Sequence, residues 1–281
     1  MILRRIVIVV AFLAVYVAGA AQQEVLRPVR AVWQLQGGTV HLANTYLSPL
    51  KYSGWGTGLT YRRTQAMKQR PEQWSSTLEF ATDYSNTQNP AGNHTMMAAN
   101  ISAGWTMMWR WQPATAWQWG VGGNIRLDAG ALYLRSNGNN PVQGQAALTV
   151  GPAAYATWSG RLGRLPIEAG CRASMPLLGA FFSPDYGELY YEIGLGDHSG
   201  LAHCAWPGSR RQFIGEATVD LKPGATAVRL GYRFDFLSAK ANNITSRTIR
   251  HWAVVGVVCD WLSVNPNKPF PQDAKVIVAG Y

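Results

Sequence analysis

The stretch Met97-Ala98-Ala99-Asn100-Ile101-Ser102-Ala103-Gly104-Trp105-Thr106-Met107-Met108-Trp109-Arg110-Trp111 decides the fold. Met97, Ala99, Ile101, Ala103, Trp105, Met107, Trp109 and Trp111 alternate with small or polar residues, the β-strand period of two. Fifteen extended residues reach about 50 Å. Strands in soluble domains usually stop at about 5–6 residues, whereas tilted membrane-spanning strands need about 9–11 and commonly run on beyond the bilayer.

Working outward, the same alternation recurs. Val228, Leu230, Tyr232, Phe234 and Phe236 share one face, with Arg229, Gly231, Arg233 and Asp235 on the other. Comparable segments centre on Trp55–Arg62, Trp74–Tyr84, Trp119–Asp128, Gln145–Trp158, Ile167–Ser174, Phe213–Leu221 and Arg250–Trp261. With a strand near Val29–Leu42 they make ten, within a plausible span of about eight to twelve for a small barrel of this kind. The expected fold is all-β, an antiparallel transmembrane β-barrel. Short connections are expected at 68–73, 112–116, 160–165 and 222–225, and longer outer ones at 44–53, 85–93, 136–143, 179–209 and 238–246. Trp74, Trp109, Trp111, Trp117, Trp119, Trp158 and Trp261 lie beside the short turns and predict an aromatic girdle at that membrane boundary.

Composition excludes the main alternatives. Only 14% of the 281 residues are charged, against about 25% in soluble domains. The net charge of +10 comes from scattered residues with no Lys/Arg run, so nucleic acid is not an expected partner. Past the first twenty-odd residues there is no apolar stretch of about 18 or more, which excludes a multi-span helical protein. Arg4 and Arg5, the apolar run from Ile6 to Val17 and Ala18-Gly19-Ala20-Ala21 read as a secretory signal peptide over 1–21. Its removal would lower the charge by two, from +10 to +8. The barrel domain is then expected over 22–264, with 265–281 a tail or an extra strand, in the outer membrane. Cys171, Cys204 and Cys259 are odd in number and widely spaced, implying neither a disulfide framework nor a metal motif. No metal and no cofactor is expected.

The inward face carries Arg62, Glu79, Asp83, Arg110, Arg126, Asp128, Glu168, Arg172, Glu216, Asp220, Arg229, Arg233, Asp235, Arg250 and Asp260. Barrels of about eight strands are filled by side chains, and unpaired buried charge is costly. An interior charge network filling the bore is therefore expected, and a narrow channel or a lipid- or solute-transport barrel is the alternative reading. Asp197-His198-Ser199 combines the residue types of a hydrolytic triad, but as neighbours, and a triad is a matter of spatial geometry. Lipid A deacylases and omptin-like proteases are enzymes on barrels of similar size. The deacylases place His and Ser two apart on one strand face, whereas His198 and Ser199 are consecutive. A non-enzymatic protein is expected, with an outer-membrane hydrolase near His198 as the further alternative. The aromatic stretch from Phe181 to Tyr191 suggests an outer loop or lid. Lys51, Arg135, Arg210, Arg211, Lys240 and Arg247 at outer strand ends could meet lipopolysaccharide phosphates or stand in solvent. Outer-membrane lipid and the barrel-assembly machinery are the remaining expected partners.

The segment Asn44-Thr45-Tyr46-Leu47-Ser48-Pro49-Leu50-Lys51-Tyr52-Ser53-Gly54-Trp55-Gly56, followed by Tyr61-Arg62-Arg63, resembles the start of an uncharacterised family of exported proteins from Bacteroidota. Met175-Pro176-Leu177-Leu178-Gly179 and Tyr190-Tyr191-Glu192 resemble it too. The resemblance implies a source and a fold for nearly the whole mature chain. It is catalogued as a domain of unknown function and brings no catalytic residues.

Overall fold

The computed structural model describes residues 25–138, 140–188, 190–196, 199–224, 226–262 and 274–279. The leader 1–21, Asp197, His198 and Tyr281 lie outside the described residues. In chain order the elements are β1 (Val25–Leu26), β2 (Val29–Asn44), β3 (Ser48–Ala66), β4 (Trp74–Gln88), β5 (Thr95–Ala114), β6 (Trp117–Leu134), β7 (Val142–Leu162), β8 (Leu165–Ser174), β9 (Leu178–Phe182), a one-turn helix α1 (Tyr190–Gly194), β10 (Ala202–Ala205), β11 (Arg210–Leu221), β12 (Thr226–Ala241), β13 (Ile244–Trp261) and β14 (Lys275–Val276).

β2 to β8 and β11 to β13 form one antiparallel ring of ten strands, closed where β13 pairs with β2 and β8 with both β7 and β11. Closure removes the edges whose unpaired N–H and C=O groups would be untenable in lipid. β9 continues the line of β8 along β7 after Met175-Pro176-Leu177, and β10 pairs with β9. The alternation sorts as the period demands: Trp33, Leu35, Ile101, Leu127, Leu148 and Val255 stand exposed outside, while Gln34, Thr60, Arg62, Thr149 and Arg229 are buried inside.

The outer connections correct the sequence reading. β2 joins β3 through 45–47 and β12 joins β13 through Asn242-Asn243, so the strands run almost to the tips. Both asparagines have positive φ (48° and 60°), the left-handed pair of a tight hairpin turn that Asn tolerates. The ladders outlast the apolar alternation because a strand beyond the bilayer can be polar on both faces. The one long outer excursion is 183–201, carrying α1. Asn44 is fully buried, and its Oδ1 accepts the Tyr46 and Leu47 N–H groups at 3.1 and 3.2 Å, pinning that turn.

At the opposite, inner end, β14 pairs in parallel with β1. Ile277 N–H donates to Leu26 O at 2.9 Å, and Ile277 and Ala279 pack on Ala66. The segment 274–279 thus closes over the inner mouth.

Candidate functional site: the charged bore

The interior is built in three storeys. In the middle, Arg62 on β3 is 2% exposed and reaches two carboxylates on different walls. It donates to Glu79 Oε2 on β4 (Nε, 3.0 Å) and forks onto both oxygens of Glu216 on β11 (3.1 Å each). The planar guanidinium suits this bidentate geometry. Arg126 approaches Glu79 at 3.3 Å and Asp128 at 2.8 Å, and Arg172 and Arg233 stand 3.8 and 4.0 Å from Glu79. Arg233 also binds Asp235 (2.9 Å), Arg229 forks onto Asp220 (2.7 and 2.8 Å), and Arg250 meets Asp83 (3.2 Å). Arg62–Glu216, Arg172–Glu79, Arg233–Glu79 and Arg250–Asp83 join separate walls across the bore, and the others tie nearby strands or positions on one strand.

At the inner storey Arg30 bridges Glu168 (2.7 Å) and Asp260 (3.0 Å), and Lys222 closes on Glu168. Arg110 has another office: its two terminal nitrogens donate to the carbonyls of Val278 and Pro71, at 3.0 and 2.5 Å, holding the C-terminal segment over the mouth.

The outer storey is mainly apolar, with Asn44, Gln143, Arg210 and Ser246 buried beside the apolar cluster. Val40, Leu42, Tyr46, Leu47, Tyr52, Met96, Ala98, Leu132, Leu134, Ile244, Trp252 and Val254 form one buried cluster inside the barrel. Trp252 is fully buried, its indole N–H donating to Asp235 Oδ2 at 3.2 Å. It lies over Gly56, where a Cβ would stand 2.8 Å from the indole. Tyr190 from α1 packs on top, its hydroxyl accepting the Gly144 N–H at 2.5 Å, while Tyr46 O–H donates to Glu188 O at 2.6 Å. Burial foremost pushes the Tyr46 phenol up to about 12, with Tyr190, Glu188 and Glu192 adding to it. Burial also raises Tyr190. Between plug and network remains a polar void of about 60 Å³, lined by Asp83, Asp128, Arg210, Arg233 and Arg250 among others, room for a few ordered waters.

All fifteen charged residues assigned to the inward face from sequence occupy inward-facing strand positions. Two were missed. Arg30 sits at the start of β2, one residue inside the first strand, and the register with Asp260 was the only clue. Arg210, read as an outer cation, is instead buried (7% exposed), 3.6 Å from Asp128. The alternation of Arg210, Gln212 and Ile214 with Arg211 and Phe213 carried that information. The apolar plug was also missed. Lys51, Arg211, Lys240 and Arg247 are exposed on the outer wall, and Arg135 is exposed in the 135–141 turn.

The seven girdle tryptophans all lie at the inner end, paired across strands as Trp74–Trp109, Trp111–Trp119 and Trp117–Trp158, with Trp261 closing β13. Ser199 is exposed in the 183–201 loop. The Phe181–Tyr191 stretch divides: Phe181 is buried inside the mouth, and Tyr186 and Tyr191 are exposed. The three cysteines are free. Among the described residues no group of three His, Cys, Asp or Glu is placed to hold a metal ion.

A closed ring of long antiparallel strands, apolar outside and charged within, defines the class of outer-membrane β-barrels. The outer membrane protease OmpT from Escherichia coli is similar in fold, with a TM-score of 0.51 at 8% identity over 83% of this chain and 97% of that one. The β domain of the Bordetella autotransporter BrkA is matched at a TM-score of 0.44 and 7% identity, over 83% of this chain and 100% of that one. Within that class, the chain belongs to the family described as protein of unknown function DUF3316, whose profile matches residues 5–268. No curated protein matches the sequence.

Proposed function

We propose that this protein is a sealed, non-conducting outer-membrane barrel with a structural or accessory role, delivered by a leader over 1–21 and inserted by the barrel-assembly machinery. The observation that carries the reading is the Arg62 bridge from β3 to Glu79 and Glu216, which ties opposite walls beneath a dry apolar plug. A solute would have to part a buried ion network, displace Trp252 and lift 274–279. Each step costs several kcal/mol. Catalysis is not part of this reading: Ser199 is exposed on a loop, and a His198→Ala substitution is expected to leave lipid A and peptide-hydrolysis profiles unchanged.

The test is electrical. Purified protein in planar bilayers should give no steady steps at either polarity. Reproducible single-channel steps that follow protein concentration would replace this reading with the narrow channel, for which the 60 Å³ charged void would be the starting point.

A further inference from the structure

We propose that one side of the outer wall binds the phosphorylated headgroup of an outer-leaflet lipid, lipid A of lipopolysaccharide. The inference goes beyond the sealed bore and rests only on the barrel standing in the outer membrane with 183–201 outward.

The strand registers carry it. Lys51 on β3 pairs with Ala43, Ala43 with Arg247, Arg247 with Ser238 and Ser238 with Arg211. Three cations separated in sequence by up to 196 residues therefore stand on one line across five strands, each neighbouring pair two strands apart. At about 4.8 Å per strand the charges are spaced by roughly 10 Å. All three are exposed on the lipid-facing side, and Lys240, paired with Thr245, stands one outward-facing position higher. None of the four has a carboxylate within ion-pair distance among the described residues. The eight carboxylates on the ring strands face the bore, seven of them in the ion pairs just described and Asp128 with Arg126. No carboxylate of the ring strands is therefore placed to neutralise the four cations.

The rest of the rim is different. The outward-facing strand positions at the same end of β4 to β7 are Asn86, Gln88, Thr95, Met97, Tyr133 and Val142, with no charge among them, and the cation on that side, Arg135, stands alone in the 135–141 turn beyond β6. A general electrostatic belt would encircle the barrel; a site for a discrete ligand would not.

Height and floor agree with an anchored lipid. On the outer face of β3 Lys51 is followed twelve residues later by Arg63. At 3.4 Å per residue and a tilt near 45° the two are about 29 Å apart along the normal, just more than an apolar band of about 25 Å. The cations thus stand at headgroup level. One outward-facing step deeper come Ile249, Phe236 and Phe213 on β13, β12 and β11, an apolar floor for acyl chains, and the hydrogen-bonded pair His41 and Ser53 on β2 and β3. Two phosphates about 10 Å or more apart on a rigid sugar, above several acyl chains, fit this line better than the single phosphate of a phospholipid.

The experiment is a binding titration of the full chain in detergent by native mass spectrometry, with bis-phosphorylated lipid A, its dephosphorylated form and phosphatidylglycerol as probes. Lipid A should bind and be weakened by salt. The triple variant Lys51→Gln/Arg211→Gln/Arg247→Gln should bind it roughly 100-fold more weakly, about fivefold per charge removed. A matched triple at the inner turns, Lys68→Gln/Arg161→Gln/Arg164→Gln, should bind as the parent does. Retention of the heat-dependent gel shift shows that each variant is folded. Equal affinity of the outer triple, an equal loss in the inner triple, or equal binding of the dephosphorylated form would overturn the site. Equal binding of phosphatidylglycerol would overturn lipid A as its occupant.

Discussion

Arg62→Met removes a charge from the centre of the bore while nearly keeping its bulk. Arg62 is the hinge of the middle storey, with contacts of 2.9 Å to Glu79 and 3.1 Å to Glu216. Losing one partner of a buried ion pair costs about 3–5 kcal/mol, chiefly through the charge left behind. Here the loss is cushioned: Glu79 keeps Arg126 at 3.3 Å, and Glu216 keeps the Gln34 amide at 3.2 Å and Arg229 at 3.9 Å. The expected destabilisation is therefore at the lower end, about 3 kcal/mol, a shift of roughly 150-fold in the folded-to-unfolded ratio. Glu216→Gln should cost a comparable amount. In the double variant the stranded carboxylate is gone, so the double should be about 2 kcal/mol better than the sum of the singles. Urea titration of protein folded in liposomes, read by tryptophan emission and by boiled and unboiled gel mobility, gives these differences by linear extrapolation. A single variant within about 1 kcal/mol of the parent, or singles that simply add, would refute the idea that this network ties the walls together.

Trp252→Ala empties the plug of its largest fully buried side chain and should cost about 3–5 kcal/mol in the same titration; Gly56→Val, whose Cβ would press on the indole at 2.8 Å, should cost about 1–3 kcal/mol. At the β12–β13 turn Asn243, with φ of 60°, should accept Gly nearly without loss, whereas Val should destabilise by about 1–2 kcal/mol. Ala66→Cys is covered by Ile277 and Ala279 and should react slowly with a water-soluble maleimide; truncation after residue 273 should speed labelling at least tenfold, and unchanged labelling would remove the segment from its place as inner cover. Because the folded Tyr46 phenol titrates at about 12, above its usual value near 10, its contribution to the outer cap is complete below pH 10 and is lost as pH rises towards 12. Ultraviolet titration against Tyr46→Phe should show one late-titrating phenol missing.

The sequence discloses the wall better than its contents. Lipid is a uniform solvent, so Val228 to Phe236 had to alternate, and the same demand on every strand made the ring and the inward charges legible. The plug was not legible where its residues break the pattern: Trp252 and Val254 belong to the stretch Trp252-Ala253-Val254-Val255-Gly256-Val257-Val258, which is apolar on both faces. Such a run signals a strand buried on both sides, and in a barrel that means a dry interior at that height. Arg210 reads as an outer cation because it stands at a strand end, and only the parity it shares with Gln212, Glu216 and Asp220 places it inside. The inner cover needed information that no local pattern holds, since Lys275 and Val276 pair with Val25 and Leu26 some 250 residues away. The outer cations were each visible, but their common line exists only in the registers.

A charged bore is a curious way to build a plug, since well-packed apolar residues would serve stability as well or better. Its advantage lies in register. Slipping a strand by one residue exchanges its two faces, and a strand apolar on both sides would pay little for the error. On β12 the same slip would turn Arg229 and Arg233 from the bore into lipid, at about 2–4 kcal/mol each near the midplane, and would strand Asp220 and Glu79 inside without them. Every long strand from β2 to β7 except β7 itself, and each of β8 and β11 to β13, carries at least one such inward ionic or guanidinium group, so the penalty guards almost the whole ring. β7 is held instead by its neighbours, pairing along seventeen positions with β6 and ten with β8. The barrel can then tolerate a stretch that is apolar on both faces, in the middle of β13 above all, because Arg250 and Asp260 on either side of it on the same strand already fix which side is in. Ion network and plug are thus complementary: the first sets the registers, and the second, laid on strands already in register, excludes water from the mouth.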